Sequence, residues 1–206
     1  MLHILLAAKL FASPLILDQH MKSFTFCLLF GALLLSGCAH HKPAESAAVG
    51  VFTTPKLDIL DSQIKANPEN YQAYANRGYA LALLGRKEAA RADLRKAEEL
   101  FPKAPMINQV GWAYFNLGDY QTAVEHFEKA GELSQNRSRY DYYSKVLGYW
   151  GVGDTAKALE NYQLAVEREP KFGQYSTLQE RIAEWTPLER RAMFETYALW
   201  SKTWRP

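Results

Sequence analysis

Chemistry has few places to reside in this chain. Its 206 residues include two Cys and five His, and Cys27, Cys38, His3, His20, His40 and His41 all fall within the first 41 positions. Beyond them stand one imidazole, His126, and no thiol. Zinc sites built on Cys and His are thereby excluded from the remainder, and a Ser-His-Asp arrangement has one candidate base. His126 directly precedes Phe127 in a helical pattern that turns Phe127 inward, so His126 is expected on a solvated face. The glycines of Gly148-Tyr149-Trp150-Gly151-Val152-Gly153 stand in the wrong order for a dinucleotide loop, and no strand pattern precedes them. Asn136-Arg137-Ser138 matches a glycosylation sequon, a pattern common by chance. The expectation is a non-enzyme with no catalytic residue, no metal and no cofactor.

One thiol nevertheless sits in a chemically specific place. Residues 1 to 38 hold 25 apolar residues and three charged ones, Lys9, Asp18 and Lys22. From Met21 the chain runs through Lys22 and an apolar stretch from Phe24 to Leu35 to Ser36, Gly37 and Cys38. A positive start, a short apolar run and small residues at its end describe a secretory signal. The run is too short to cross a bilayer as a helix.

Leu35-Ser36-Gly37-Cys38 resembles the lipobox of bacterial lipoproteins at all four positions. The resemblance implies cleavage before Cys38 and acylation of its thiol and new amine by chains such as palmitate, each buried methylene adding about 0.8 kcal/mol of membrane affinity. Ala39, where an Asp would imply inner-membrane retention, implies the periplasmic face of the outer membrane in a Gram-negative host. An ordinary signal peptide ending by chance in Cys, or a buried structural Cys, is the alternative. The apolar stretch from Ile4 to Leu17, broken by Lys9 and Pro14, sits awkwardly upstream. The expected start is therefore Met21, with an extended signal or membrane segment as the other reading. Residues 1–37 form the signal region. Residues 38–53, lacking helical or strand period, are expected to form a tether with a reach of about 20 Å. His40 and His41 on such a tether make a poor metal site.

The remaining residues must be arranged by helices. With 48% apolar residues the chain can bury one core, and a formal net charge of +2 gives no basic face for nucleic acid. Pro68, Pro102 and Pro170 lie 34 and 68 residues apart, with Asn136 in the missing place. Three segments share that register, about 71–102, 104–135 and 139–170. Each splits into two helical patterns at Gly85-Arg86, Gly118-Asp119 or Gly153-Asp154. Small residues recur where two helices must approach closely, at Gly78 and Gly111, then Ala90, Ala123 and Ala158, and Ala97, Ala130 and Ala165. Between the Ala pairs stand Leu94, Phe127 and Tyr162.

These segments resemble the tetratricopeptide repeat. Tyr74, Gly78, Leu81, Ala90, Leu94, Ala97 and Pro102 carry its signature in the first, and Tyr114, Gly118, Tyr120, Ala123, Phe127 and Ala130 in the second. The third departs at Val146 and Arg168. Pro55 to Ala66, with Thr54 as N-cap, puts Leu57, Leu60 and Ile64 on one face and is expected to act as a leading half-repeat. Ser176-Thr177-Leu178-Gln179 and Thr186-Pro187-Leu188-Glu189 have the form of capping boxes that open two C-terminal helices within 176–203. The last of these carries Leu188, Phe194, Tyr197 and Trp200 and is expected to cover the third repeat. The expected architecture is an all-α solenoid of about nine helices over 54–203.

In tetratricopeptide proteins the first helix of each repeat lines a concave face that binds peptides or partner helices. The resemblance places Gln72, Ala75, Asn76 and Tyr79, then Asn108, Trp112 and Phe115, then Tyr140, Tyr143, Leu147 and Trp150 on that face. None is basic, so the carboxylate clamp of chaperone-binding members is not implied. Two readings stay open: a groove for a protein or peptide partner, centred on Trp112 and Trp150, or aromatic packing beneath the C-terminal helices or the tether. The expected function is a lipid-anchored scaffold in the bacterial envelope. In its lipid anchor and repeats the chain resembles the lipoproteins of pilus assembly and the adaptors of wall hydrolases, and no residue selects between them. The alternative is a peptidoglycan-binding anchor that stacks sugars on the same aromatics.

Overall fold

A computed structural model describes residues 54–204. The expectations for residues 1–53, Cys38 and the tether among them, lie outside the described residues. Among those described there are nine α-helices and no strand: α1 (Thr54–Ala66), α2 (Tyr71–Leu83), α3 (Lys87–Leu100), α4 (Ala104–Asn116), α5 (Tyr120–Ser134), α6 (Arg139–Val152), α7 (Thr155–Arg168), α8 (Tyr175–Arg181) and α9 (Pro187–Thr203). A 3-10 turn at Pro170–Gly173 joins α7 to α8. The fold is an α-solenoid. Helices α2 and α3, α4 and α5, and α6 and α7 pack as pairs, while α2, α4 and α6 stand side by side.

Each pair folds back at a glycine with left-handed backbone, Gly85 (φ 70°), Gly118 (φ 76°) and Gly153 (φ 80°). A Cβ is costly in that region. The pairs then close on one another through size matching. Ala90, Ala97, Ala123, Ala130, Ala158 and Ala165 are at most 2% exposed, and Leu94, Phe127 and Tyr162 are fully buried between them. A Cβ at Gly78 would lie 2.8 Å from Leu94 Cδ2, and one at Gly111 would lie 2.6 Å from Phe127 Cε1. Both glycines are therefore fixed by the large side chain opposite. In the third pair Val146 is buried in place of a small residue. The tight approach passes instead to Gly148 and Gly151, where a Cβ would meet Phe127 Cδ2 at 3.0 Å and Tyr120 Cδ1 at 2.5 Å. Glycine there serves the contact between repeats instead of the one within a repeat.

The break in the proline register has a backbone cause. Gln135 and Asn136 both take positive φ, 56° and 50°, which proline cannot adopt. Asn136 Oδ1 accepts from Lys145 Nζ at 3.2 Å, and Arg168 donates to the carbonyls of Asn136 and Arg137 at 2.9 and 3.2 Å. Arg168, a departure from the repeat pattern, thus ties the end of the third repeat to the turn that opens it.

At the leading end Leu57 and Leu60 of α1 are buried against α2. At the trailing end the two expected capping boxes part company. Ser176 lies inside α8, which starts at Tyr175 behind Gln174 with no side-chain cap, because the preceding 3-10 turn already feeds the chain into the helix. The second box forms in full: Glu189 N–H donates to Thr186 Oγ1 at 3.3 Å, and Thr186 N–H donates to Glu189 Oε2 at 2.8 Å. Helix α9 packs on α6 and α7, with Trp200 5.3 Å and Tyr197 6.2 Å from Tyr162, ring centre to ring centre. Its most buried apolar residues are Ala192 and Met193, both at 0% exposure.

Candidate functional site

The wall formed by α2, α4 and α6 sorts the residues assigned to it into two sets. Phe115 and Leu147 are fully buried, as is Ala75, and Tyr143 is 2% exposed. These four belong to the core, where Phe115 packs on Tyr120 with ring centres 5.3 Å apart. One residue along an α-helix is a rotation of about 100°, and Asn116 and Ser144, next to Phe115 and Tyr143, turn their hydrogen-bonding atoms to the wall, as Gln109 does beside Asn108. Gln72 and Tyr140 are exposed, and Asn76, Tyr79, Asn108, Trp112 and Trp150 are half-buried.

The amides of this wall are bonded mainly to one another. Gln72 Nε2 donates to Asn76 Oδ1 at 3.2 Å and to Gln109 Oε1 at 3.1 Å, and Gln109 Nε2 donates to Asn76 Oδ1 at 3.0 Å. Further along, Ser144 Oγ accepts from Asn108 Nδ2 and Trp112 Nε1, each at 2.8 Å. The ladder stitches α2 to α4 and α4 to α6.

Into this wall the chain inserts the start of its own last helix. Glu189 is 2% exposed. Its Oε1 accepts from Asn116 Nδ2 at 2.6 Å and from Tyr79 Oη at 3.0 Å, while Thr186 Oγ1 donates to Asn116 Oδ1 at 3.1 Å. Burial, and then the adjacent Glu189 charge, push the Tyr79 phenol far above its ordinary range, so it remains a donor. Trp185 stands edge-on to Trp112, ring centres 4.7 Å apart at 87°, a favoured aromatic geometry. Trp150 Nε1 donates to Glu195 Oε2 at 2.9 Å, and the Arg191 guanidinium lies 5.8 Å from the Trp150 ring centre. Hydrogen bonds from Arg191 and then Trp150 hold the Glu195 carboxyl below the ordinary range.

Of the two expected centres of the wall, Trp150 is thus covered by α9, and Trp112 is bounded by Trp185. What remains open is a cleft of about 360 Å³ lined by Tyr79, Asn108, Gln109, Trp112, Tyr140 and Trp185. Sequence reasoning missed Gln109, Asn116, Ser144, Trp185 and Glu189. The Thr186 capping box was a usable signal for Glu189, because it fixed where α9 begins, but no periodicity carries a cap onto a surface one hundred residues earlier.

His126 differs from its expected solvated setting. Its ring is half-buried beneath α3, with Nδ1 2.8 Å from the Thr122 carbonyl and Nε2 3.2 Å from Glu98 Oε2. Lys129 donates to the same carboxylate at 2.6 Å. Burial pushes Glu98 up, but Lys129 and His126 bring it below its ordinary value. The cluster joins the first two repeats. No group of three or more His, Cys, Asp or Glu among the described residues is arranged to hold a metal ion, and no helix among them is long and apolar enough to cross a membrane.

Two family models, both of the tetratricopeptide repeat, match residues 59–105 and 107–137. Tetratricopeptide repeat protein 13 of Homo sapiens is 32% identical over 164 residues, covering 75% of this chain and 18% of that protein. The small glutamine-rich tetratricopeptide repeat-containing protein 2 of Mycosarcoma maydis is 32% identical over 78 residues, covering 37% of this chain and 22% of that protein. The chain therefore spans less than a quarter of the length of these curated relatives. Among solved structures, MamA has a similar fold, with a TM-score of 0.50 at 22% identity, covering 75% of this chain and 91% of the MamA chain.

Proposed function

We propose that these tetratricopeptide repeats form a non-catalytic adaptor that takes an extended segment of a partner protein in the cleft between Tyr79, Trp112, Tyr140 and Trp185. The observation that carries the reading is the pairing of aromatic faces with amides already engaged by one another. Aromatic side chains supply contact area at low entropic cost. A bound backbone can use the second amide proton that Gln109, on the cleft lining, retains. A sugar ring needs several polar groups aimed at its hydroxyls. Here Trp112 Nε1 and Asn108 are committed to Ser144, which favours a peptide over glycan.

The adaptor, on this reading, is held by lipid on Cys38 at the periplasmic face of the outer membrane and serves an envelope assembly such as a pilus. The lipobox resemblance at Leu35-Ser36-Gly37-Cys38 supports the anchor, and the near-balanced charge supports partner selection by shape. A photo-crosslinking residue in place of Tyr140, used in the native host, is expected to capture a protein. Trp185→Ala should reduce that capture at least several-fold. Co-sedimentation with purified peptidoglycan, without protein capture, would overturn the partner reading in favour of glycan. Cys38→Ser is expected to move the protein from the membrane to the soluble fraction, and unchanged fractionation would sink the anchor.

A further inference from the structure

Behind the open cleft lies a second, more enclosed space. Tyr140 and Trp185 form its lip, and both also line the cleft. Its walls come from the third repeat, the 3-10 turn that follows it and the C-terminal cap: Tyr143, Phe172, Ile182 and Met193. The cavity volume is about 150 Å³. Apolar cavities of that size lined by Leu, Ile and Phe stay dry and take up a benzene ring.

The lining chemistry suits the edge and face of an aromatic guest. Tyr143 and Phe172 meet with ring centres 4.6 Å apart at 58°, so the wall is already an aromatic corner. Met193 brings a thioether, which packs well against rings. Arg181, the one charged side chain on the lining, has its guanidinium 5.3 Å from the Phe172 ring centre and donates to Glu169 at 3.1 Å. Its charge is balanced, and a neutral guest fits. The recess also continues an interface that the chain makes with itself. Trp185 already seats one aromatic ring edge-on against Trp112 in the neighbouring position.

We propose that this recess is a specificity pocket for one aromatic side chain of the partner segment, entering past Tyr140 and Trp185. The inference rests on the partner reading of the cleft and adds what the partner must carry. A chain lying along Tyr79, Trp112 and Gln109 would place a Phe, Tyr or Trp in the recess and leave its flanking residues in the cleft. Because Leu178, Ile182 and Met193 come from α8, the turn after it and α9, the pocket exists only while these helices are docked.

Methyl resonances provide the test. The described residues contain two methionines, Met193 on the recess wall and Met106 buried in α4 and absent from the lining. Full-length protein labelled at the methionine methyl carbon is titrated with N-acetyl-phenylalaninamide and, separately, with N-acetylglucosamine. The phenylalanine derivative is expected to shift the Met193 methyl signal saturably through its ring current and to leave Met106 unmoved. Ile182→Phe, which adds bulk to the recess, should weaken that saturation at least tenfold. If that variant does not fold, the wild-type titration alone decides. A still Met193 signal at millimolar N-acetyl-phenylalaninamide, or a response to the sugar in its place, would overturn the pocket. Protein capture at Tyr140 alongside a still Met193 would reject the aromatic anchor while keeping the cleft as a docking site.

Discussion

Glu189 caps its own helix and bridges two repeats with a single carboxylate. One oxygen accepts the Thr186 N–H at 2.8 Å, and the other accepts Asn116 and Tyr79 at 2.6 and 3.0 Å. A carboxylate at 2% exposure is tolerable only because donors surround it. Glu189→Ala would take from the Tyr79 hydroxyl and the Asn116 amide the acceptor they share. It should cost about 2–3 kcal/mol, since a part-buried group that loses a hydrogen bond to a charged acceptor costs roughly 1–3 kcal/mol and other partners recover part of this. Glu189→Gln keeps an acceptor and should lose about half as much. Urea midpoints read both variants, and equal, negligible losses would show that the buried contact contributes nothing. In the Ala background, Tyr79→Phe should cost less than it does alone, because the bond to Glu189 is already gone.

At the scale of helices and turns, the pattern of small residues was legible because packing repeats it: the Ala positions and Leu94, Phe127 and Tyr162 are forced by the distance between paired helices. Wall positions were legible only to within one residue. A core aromatic such as Phe115 and a wall amide such as Asn116 are adjacent in sequence, and the repeat signature does not say which of two polar or aromatic neighbours turns outward. The Asn136 position shows a second limit. Sequence register marks it as a missing proline, whereas the backbone there is left-handed at φ 50°. Asn136→Pro would restore the register of Pro68, Pro102 and Pro170 and yet force φ near −65°. It is expected to lower stability by about 2 kcal/mol or more, measured as a drop in Tm. Asn136→Gly, which keeps the conformation and loses the bond to Lys145, should cost less. A neutral or stabilising proline would mean that the turn can rearrange to the form used after the first repeat.

In a solenoid each repeat touches only its neighbours, so a change at one end should fade along the stack. This molecule departs from that scheme because α9 does more than cover the last pair. Through Glu189 it reaches Tyr79 in α2, 110 residues earlier in the chain, and Asn116 in α4, 73 residues earlier. The sequence left open that the C-terminal helices pack on this wall but did not say which residues meet there, since such pairing depends on the curvature that brings the cap across the wall. The consequence is a closed circuit in which the first, second and third repeats share one element. Truncation after Gly173 removes α8 and α9 and bares Tyr162 and Met193's neighbours on α6 and α7. In a simple stack, amide exchange would then accelerate in α6 and α7 and change little in α2. With the circuit, α2 and α4 should lose protection as well, and unfolding should become broader as the repeats cease to melt together. Exchange that quickens only in α6 and α7 would mean that the Glu189 bonds carry no coupling between the ends. Faster exchange across α2, α4 and α6 together would establish the cap as the element that holds the concave wall, and hence the cleft, in one shape.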